Sequence, residues 1–77
     1  MKRRPPADIR QALGRAVRDL RAERQLTQEE VADRAGIHTH YVSDIERGIR
    51  NVAIVNLTYL AGAFDLSAAE LLSAAGL

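Results

Sequence analysis

The fold turns on residues 28–47, Gln28-Glu29-Glu30-Val31-Ala32-Asp33-Arg34-Ala35-Gly36-Ile37-His38-Thr39-His40-Tyr41-Val42-Ser43-Asp44-Ile45-Glu46-Arg47. Counting from Gln28, Ala32 stands fifth and Gly36 ninth, while Val31, Ile37, Val42 and Ile45 stand fourth, tenth, fifteenth and eighteenth. Two helices that cross steeply after a tight turn need a small residue where they touch, and Ala32 supplies it. The turn needs a positive φ, which glycine adopts most easily, and Gly36 supplies that. The four aliphatic side chains close the inner faces of both helices. Thr27-Gln28-Glu29-Glu30 adds a capping box, with Thr27 as N-cap and Glu30 reaching back to it. The expected pair is a helix of about eight residues up to Gly36, then a helix from about Thr39 to Arg47, ended by Gly48.

Upstream, Ile9, Leu13, Val17 and Leu20 recur at spacings of four, four and three, one apolar stripe of a helix. That helix is expected from about Asp8 to Arg24, with Asp8 as N-cap and Gln11 completing a capping box. Arg10, Arg15, Arg18 and Arg24 lie off the stripe and Arg21 borders it. Residues 1–7 read as a basic arm that Pro5 and Pro6 keep extended, or else as plain disorder. Downstream, a fourth helix is expected from about Ala53 to Phe64, burying Ile54, Leu57, Leu60, Ala61 and Phe64. Ser67-Ala68-Ala69-Glu70 is a second capping box. It opens a fifth helix that buries Leu71 and Leu72 and frays near Gly76. No segment alternates with period two. The expectation is an all-α, compact five-helix bundle, with the arm at 1–7 and the folded domain at 8–77.

Seventy-seven residues hold one small domain, and 47% apolar with 27% charged residues is a globular composition. The absence of cysteine excludes disulfides and thiolate metal sites. The net charge of +1 conceals an asymmetry: residues 1–24 sum to +5, residues 25–51 to −2 and residues 52–77 to −2. Ten of the eleven cations are Arg, the better fork for phosphate. After Asn51, 18 of 26 residues are apolar, against 18 of the first 51. A basic front and an apolar back point to a nucleic-acid face and a core or partner face. The longest uncharged run, Asn51 to Phe64, is 14 residues, short of the roughly 20 a membrane span needs. With no apolar segment after Met1-Lys2-Arg3-Arg4, no secretory signal is expected, which leaves the cytoplasm as the default compartment.

The spacing in residues 28–47 is the helix-turn-helix pattern, whose second helix enters the major groove of DNA. Leu26-Thr27-Gln28-Glu29-Glu30-Val31-Ala32, Gly36-Ile37, Ile45-Glu46-Arg47-Gly48 and Arg50-Asn51 resemble the Cro/C1-type (xenobiotic-response-element type) helix-turn-helix repressors. The downstream Leu57, Leu60-Ala61 and Leu66-Ser67-Ala68-Ala69-Glu70-Leu71-Leu72 fit the same family, so the resemblance covers about residues 8–75. It implies a lambda repressor-like DNA-binding domain acting on double-stranded DNA. It further implies base reading by Thr39, His40, Ser43 and Asp44. Phosphate contacts fall to Gln28, Tyr41, Arg47 and Arg50, and a structural ion pair to Glu46 with Arg21.

Three departures stand out. His38 occupies the usual Ser/Thr cap, so the recognition helix is expected to be capped by Thr39 and to start one residue later. Asp44 puts an acid where bases are read; it repels phosphate but accepts from cytosine N4. Val52 replaces a frequent proline. His38 and His40 point in different directions at a spacing of two, so no metal site is expected.

The reading is a transcriptional regulator that acts as a homodimer on a near-palindromic operator, with no cofactor. Small size and the apolar excess after Asn51 place the dimer interface on the last two helices, with Leu66, Leu71 and Leu77 as candidates. Size favours the restriction–modification controller proteins within the family. The rival is an antitoxin-type interaction module that also binds its own operator. No nucleophile–base pair, metal cluster or phosphate loop supports an enzyme.

Overall fold

The computed structural model describes residues 3–77, which form five helices and, among the described residues, no strand. They are α1 (Pro6–Glu23), α2 (Gln28–Ala35), α3 (Thr39–Glu46), α4 (Ile54–Gly62) and α5 (Ala68–Ala74). Helices α2 and α3 pack on each other, α1 crosses α3, and α4 bridges α2 and α5. No helix among the described residues is long and apolar enough to cross a membrane.

Both expected capping boxes are present. Thr27 Oγ1 accepts from the Glu30 amide at 3.1 Å, and the Thr27 amide donates to Glu30 Oε1 at 2.9 Å. Ser67 and Glu70 repeat the arrangement at 3.0 and 2.9 Å. Two starts differ from expectation. α1 begins at Pro6 rather than Asp8, because a proline's fixed φ suits the first helical position, where its missing N–H costs nothing. Asp8 therefore lies in the first turn, where its charge favours the helix dipole, and makes no cap hydrogen bond. The segment before the helix is thus residues 1–5, of which Met1 and Lys2 lie outside the described residues. In α3, His38 is the N-cap with extended backbone and no side-chain cap bond, and Thr39 is already helical.

The five helix ends share one device. Each is followed by a residue with positive φ: Gln25 (55°), Gly36 (70°), Gly48 (73°), Asp65 (58°) and Gly76 (76°). The next residue then donates its N–H to a carbonyl five positions back: Leu26 to Arg21, Ile37 to Ala32, Ile49 to Asp44, Leu66 to Ala61 and Leu77 to Leu72, at 2.8–3.2 Å. This is the Schellman closure, which satisfies orphan carbonyls and is often accompanied by an apolar residue after the left-handed one. All five of those residues here are aliphatic.

The core is built from Leu13 and Val17 of α1, Leu26, Val31, Ala32, Ala35, Val42, Ile45, Leu57, Leu60, Ala61, Phe64 and Leu71. Two expected core members lie outside it. Ile54 is 68% exposed and Ile9 is 41% exposed. Each sits in the first turn of its helix.

α1 and α3 approach closely at Gly14, mid-way along α1. A Cβ there would overlap the Ile45 carbonyl oxygen and lie 2.8 Å from that of Glu46. Only glycine lets α1 come this close to the last turn of α3.

Candidate nucleic-acid interface

α3 is fixed from behind by a carboxylate. Glu46 is buried and takes a two-pronged contact from Arg21: Nε to Oε2 at 2.7 Å and Nη2 to Oε1 at 3.0 Å. Arg21 Nη1 also donates to the Leu26 carbonyl at 3.1 Å, tying the pair to the turn before α2. Gln28 Nε2 adds a bond to Glu46 Oε1 at 3.2 Å, and Arg18 Nη2 one to the Glu46 carbonyl at 3.3 Å. Charge-assisted, bidentate geometry makes this a directional clamp. Hydrogen bonding to Glu46, offset in part by burial, raises the Arg21 pKa above its ordinary value. The ion pair expected between Arg21 and Glu46 is therefore in place. Gln28 differs from expectation: its side-chain amide turns to Glu46 rather than outward. Its backbone N–H still belongs to the first-turn amides that a helix leaves unpaired.

At about 100° per residue, Thr39, His40, Ser43 and Arg47 fall on one arc of α3. Tyr41, Val42, Ile45 and Glu46 fall on the opposite arc. His40 and Arg47 are exposed, and Thr39 and Ser43 are half-buried on the outer side. Three of the four residues expected to read bases thus stand on the open front of the helix.

The fourth, Asp44, does not project outward. Its side chain keeps only 11% of its surface, and Oδ2 accepts from Arg50 Nη2 at 2.9 Å. Arg47 Nη2 and His40 Nε2 stand 3.9 and 4.0 Å from Oδ1. A carboxylate this covered needs a cationic partner, and the loop after α3 brings Arg50 to it. Arg50 also lies over the Tyr41 ring, its guanidinium carbon 4.4 Å from the centroid. Asn56 Nδ2 of α4 donates to the Tyr41 hydroxyl at 3.4 Å. Arg50 and Tyr41 therefore share one flank of α3.

The other flank carries cations that sequence reasoning did not single out. Arg15 and Arg18 of α1 line a recess of about 280 Å³ with Gln11, Glu46 and Arg47. The signal was available: Gly14, Arg18 and Arg21 are spaced four and three apart, so the residues flanking the close approach share one helix face.

The candidate interface leucines divide. Leu71 is fully buried in the core and cannot meet a second protein. Leu66 closes the end of α4 and packs against the core. Leu77 is 44% exposed and borders an open recess of about 680 Å³ with Pro5, Pro6 and Ile9. Beside that recess, Arg4 Nη1 donates to the Gly76 carbonyl at 3.4 Å, so the described part of the arm lies against the end of α5. The large apolar side chains left open on α4 are instead Ile54, Val55 and Tyr59.

Comparison with known proteins adds to this geometry. A family model described as helix-turn-helix matches residues 17–71. The uncharacterized HTH-type transcriptional regulator y4dJ of Sinorhizobium fredii is 42% identical over 66 residues, 86% of each chain. Control protein C.SmaI of Serratia marcescens is 39% identical over 70 residues, 91% of this chain and 83% of its own. Among solved structures, the restriction-modification controller protein C.AhdI of Aeromonas hydrophila superposes with a TM-score of 0.77 at 40% identity. The match covers 80% of this chain and 94% of that one.

Proposed function

Because this chain belongs to the Cro/C1-type helix-turn-helix family of transcriptional regulators, we propose that it binds a near-palindromic operator in double-stranded DNA as a homodimer. Occupying that operator would regulate transcription, as a control protein of the restriction–modification kind. The supporting observation is the open front of α3: Thr39, His40 and Ser43 face outward on a helix clamped from behind by Arg21 and Glu46. Rigid presentation lets base contacts form at low ordering cost. Arg50 on one flank, Arg15, Arg18 and Arg47 on the other, and the first-turn amides of α2 are the phosphate-contacting groups in this reading. The dimer forms through the outer face of α4, where a second copy covers Ile54, Val55 and Tyr59, with Leu77 as a further contact. The compartment is the cytoplasm, where the DNA is.

The test is selection of bound sequences from a randomised duplex pool. The expected product is a two-fold motif with half-sites about 34 Å apart. Thr39→Ala, His40→Ala or Ser43→Ala should each relax preference at single positions by about 1–3 kcal/mol where a base contact is lost. Arg47→Ala should weaken all sequences alike and flatten the salt dependence. Recovery of no enriched sequence by the wild type would sink the proposal.

A further inference from the structure

The Asp44 carboxylate faces two guanidiniums and an imidazole, yet only one of the three is at hydrogen-bond distance. Arg50 is bound at 2.9 Å, whereas Arg47 and His40 stand near 4 Å on long, exposed side chains. The guanidinium of Arg50 is held in two independent ways. Asp44 fixes one edge, and the Tyr41 ring 4.4 Å from its central carbon fixes one face. Tyr41 is steadied in turn by Asn56 of α4. Arg50 nevertheless keeps 41% of its side-chain surface. A long side chain in a loop would otherwise sample many rotamers, each of which must be given up on binding.

We infer that Asp44 is a positioning residue: it does not touch DNA but holds the Arg50 guanidinium against Tyr41, oriented for one phosphate of the duplex. The inference rests on the DNA-binding reading above. An acid at this place on α3 carries a cost, since its charge faces a polyanion. Pre-setting Arg50 offsets that cost, because a guanidinium already in place loses less freedom when it meets a phosphate. Asp44 therefore contributes to operator binding through Arg50 alone.

The experiment is a double-mutant cycle on the full chain with Asp44→Asn and Arg50→Ala. Affinity is read on the duplex the wild type selects from the randomised pool and on bulk genomic DNA. Asp44→Asn should weaken the selected duplex by roughly fivefold to tenfold, about what one oriented charge-assisted bond supplies. The loss should be absent when Arg50 is already Ala. Asp44→Glu should restore part of it. The Arg50 Cδ protons should show an upfield ring-current shift in the free wild type that fades in Asp44→Asn.

Relaxed preference at one base pair with additive losses would make Asp44 a base reader and overturn the inference. Tighter binding by Asp44→Asn would overturn it too, leaving Asp44 a repulsive charge that sequesters Arg50. So would an unchanged affinity. Should Asp44→Asn not fold, Arg50→Lys decides: it keeps the charge and loses the planar fork. It should fall nearly as far as Arg50→Ala, and wild-type affinity for Arg50→Lys would end the inference. If the wild type enriches no duplex at all, the DNA-binding reading fails instead.

Discussion

The junction of α1 with α3 and the outer face of α4 end in opposite states. At the junction, backbone meets backbone over Gly14, and the Glu46 carboxylate is answered by Arg21 and Gln28. On α4, Ile54, Val55 and Tyr59 stand 68%, 56% and 52% exposed. Water opposes leaving such surface open, so hydrophobicity marks what will be covered and not by what. The junction is closed within the protomer. The α4 face is the surface that the proposed dimer would cover.

The most severe way to break that contrast is to wedge the closed region apart. Gly14→Leu should destabilise the fold by about 4 kcal/mol or more, since neither the Ile45 nor the Glu46 carbonyl can yield. Thermal unfolding close to wild type would mean that α1 is not tightly seated. Next, Glu46→Ala should cost about 3 kcal/mol by leaving Arg21 without its partner, and Arg21→Ala about as much. The two losses should be strongly non-additive in denaturant titrations, and independent effects would deny the clamp.

The open region should respond differently. Val55→Asp should weaken self-association at least about tenfold in sedimentation while leaving protomer stability within about 0.5 kcal/mol. If it unfolds the protomer, the α4 face is core and the contrast is false. The mildest effect concerns the α2 cap. Hydrogen bonds from the Thr27 backbone, and then its side chain, hold the Glu30 carboxyl below the usual carboxylate range. A lowered folded-state pKa contributes stability above the unfolded value, which is lost as pH falls through the folded one. Hydrogen-exchange protection at the start of α2, relative to the unfolded chain at the same pH, should therefore fall in acid, and Glu30→Gln should flatten that dependence.

What the sequence discloses follows the range of each interaction. The caps at Thr27 and Ser67, the turn at Gly36 and the limits of α2 are local and were legible in single residues. Arg21 with Glu46 was legible only through the family resemblance, because its members lie 25 positions apart. Periodicity places both Ile54 and Leu71 in the core, and the apolar excess after Asn51 makes Leu71 an interface candidate as well; the fold exposes Ile54 and buries Leu71. Both positions lie on apolar faces, and only the packing of α4 against α2 and α5 distinguishes the covered one. Gly14 goes unremarked in the sequence, and Asp44 reads there as a base reader, for a related reason. A glycine within a helix and an acid on a recognition helix look like exceptions until the carbonyls of α3 and the guanidinium of Arg50 are in view.

Because α1 meets α3 at Gly14 through a hydrogen-sized side chain against main-chain carbonyls, the tilt of α3 depends on atoms that every residue of α3 possesses. On the proposed reading, substitutions at Thr39, His40 or Ser43 would change what is read without changing the angle at which it is read. Gly14 has the contrary property: any larger residue there would re-aim the whole helix, so that every proposed contact would shift together. Specificity would then drift letter by letter from the front of α3, while its aim would change only in a single step from behind.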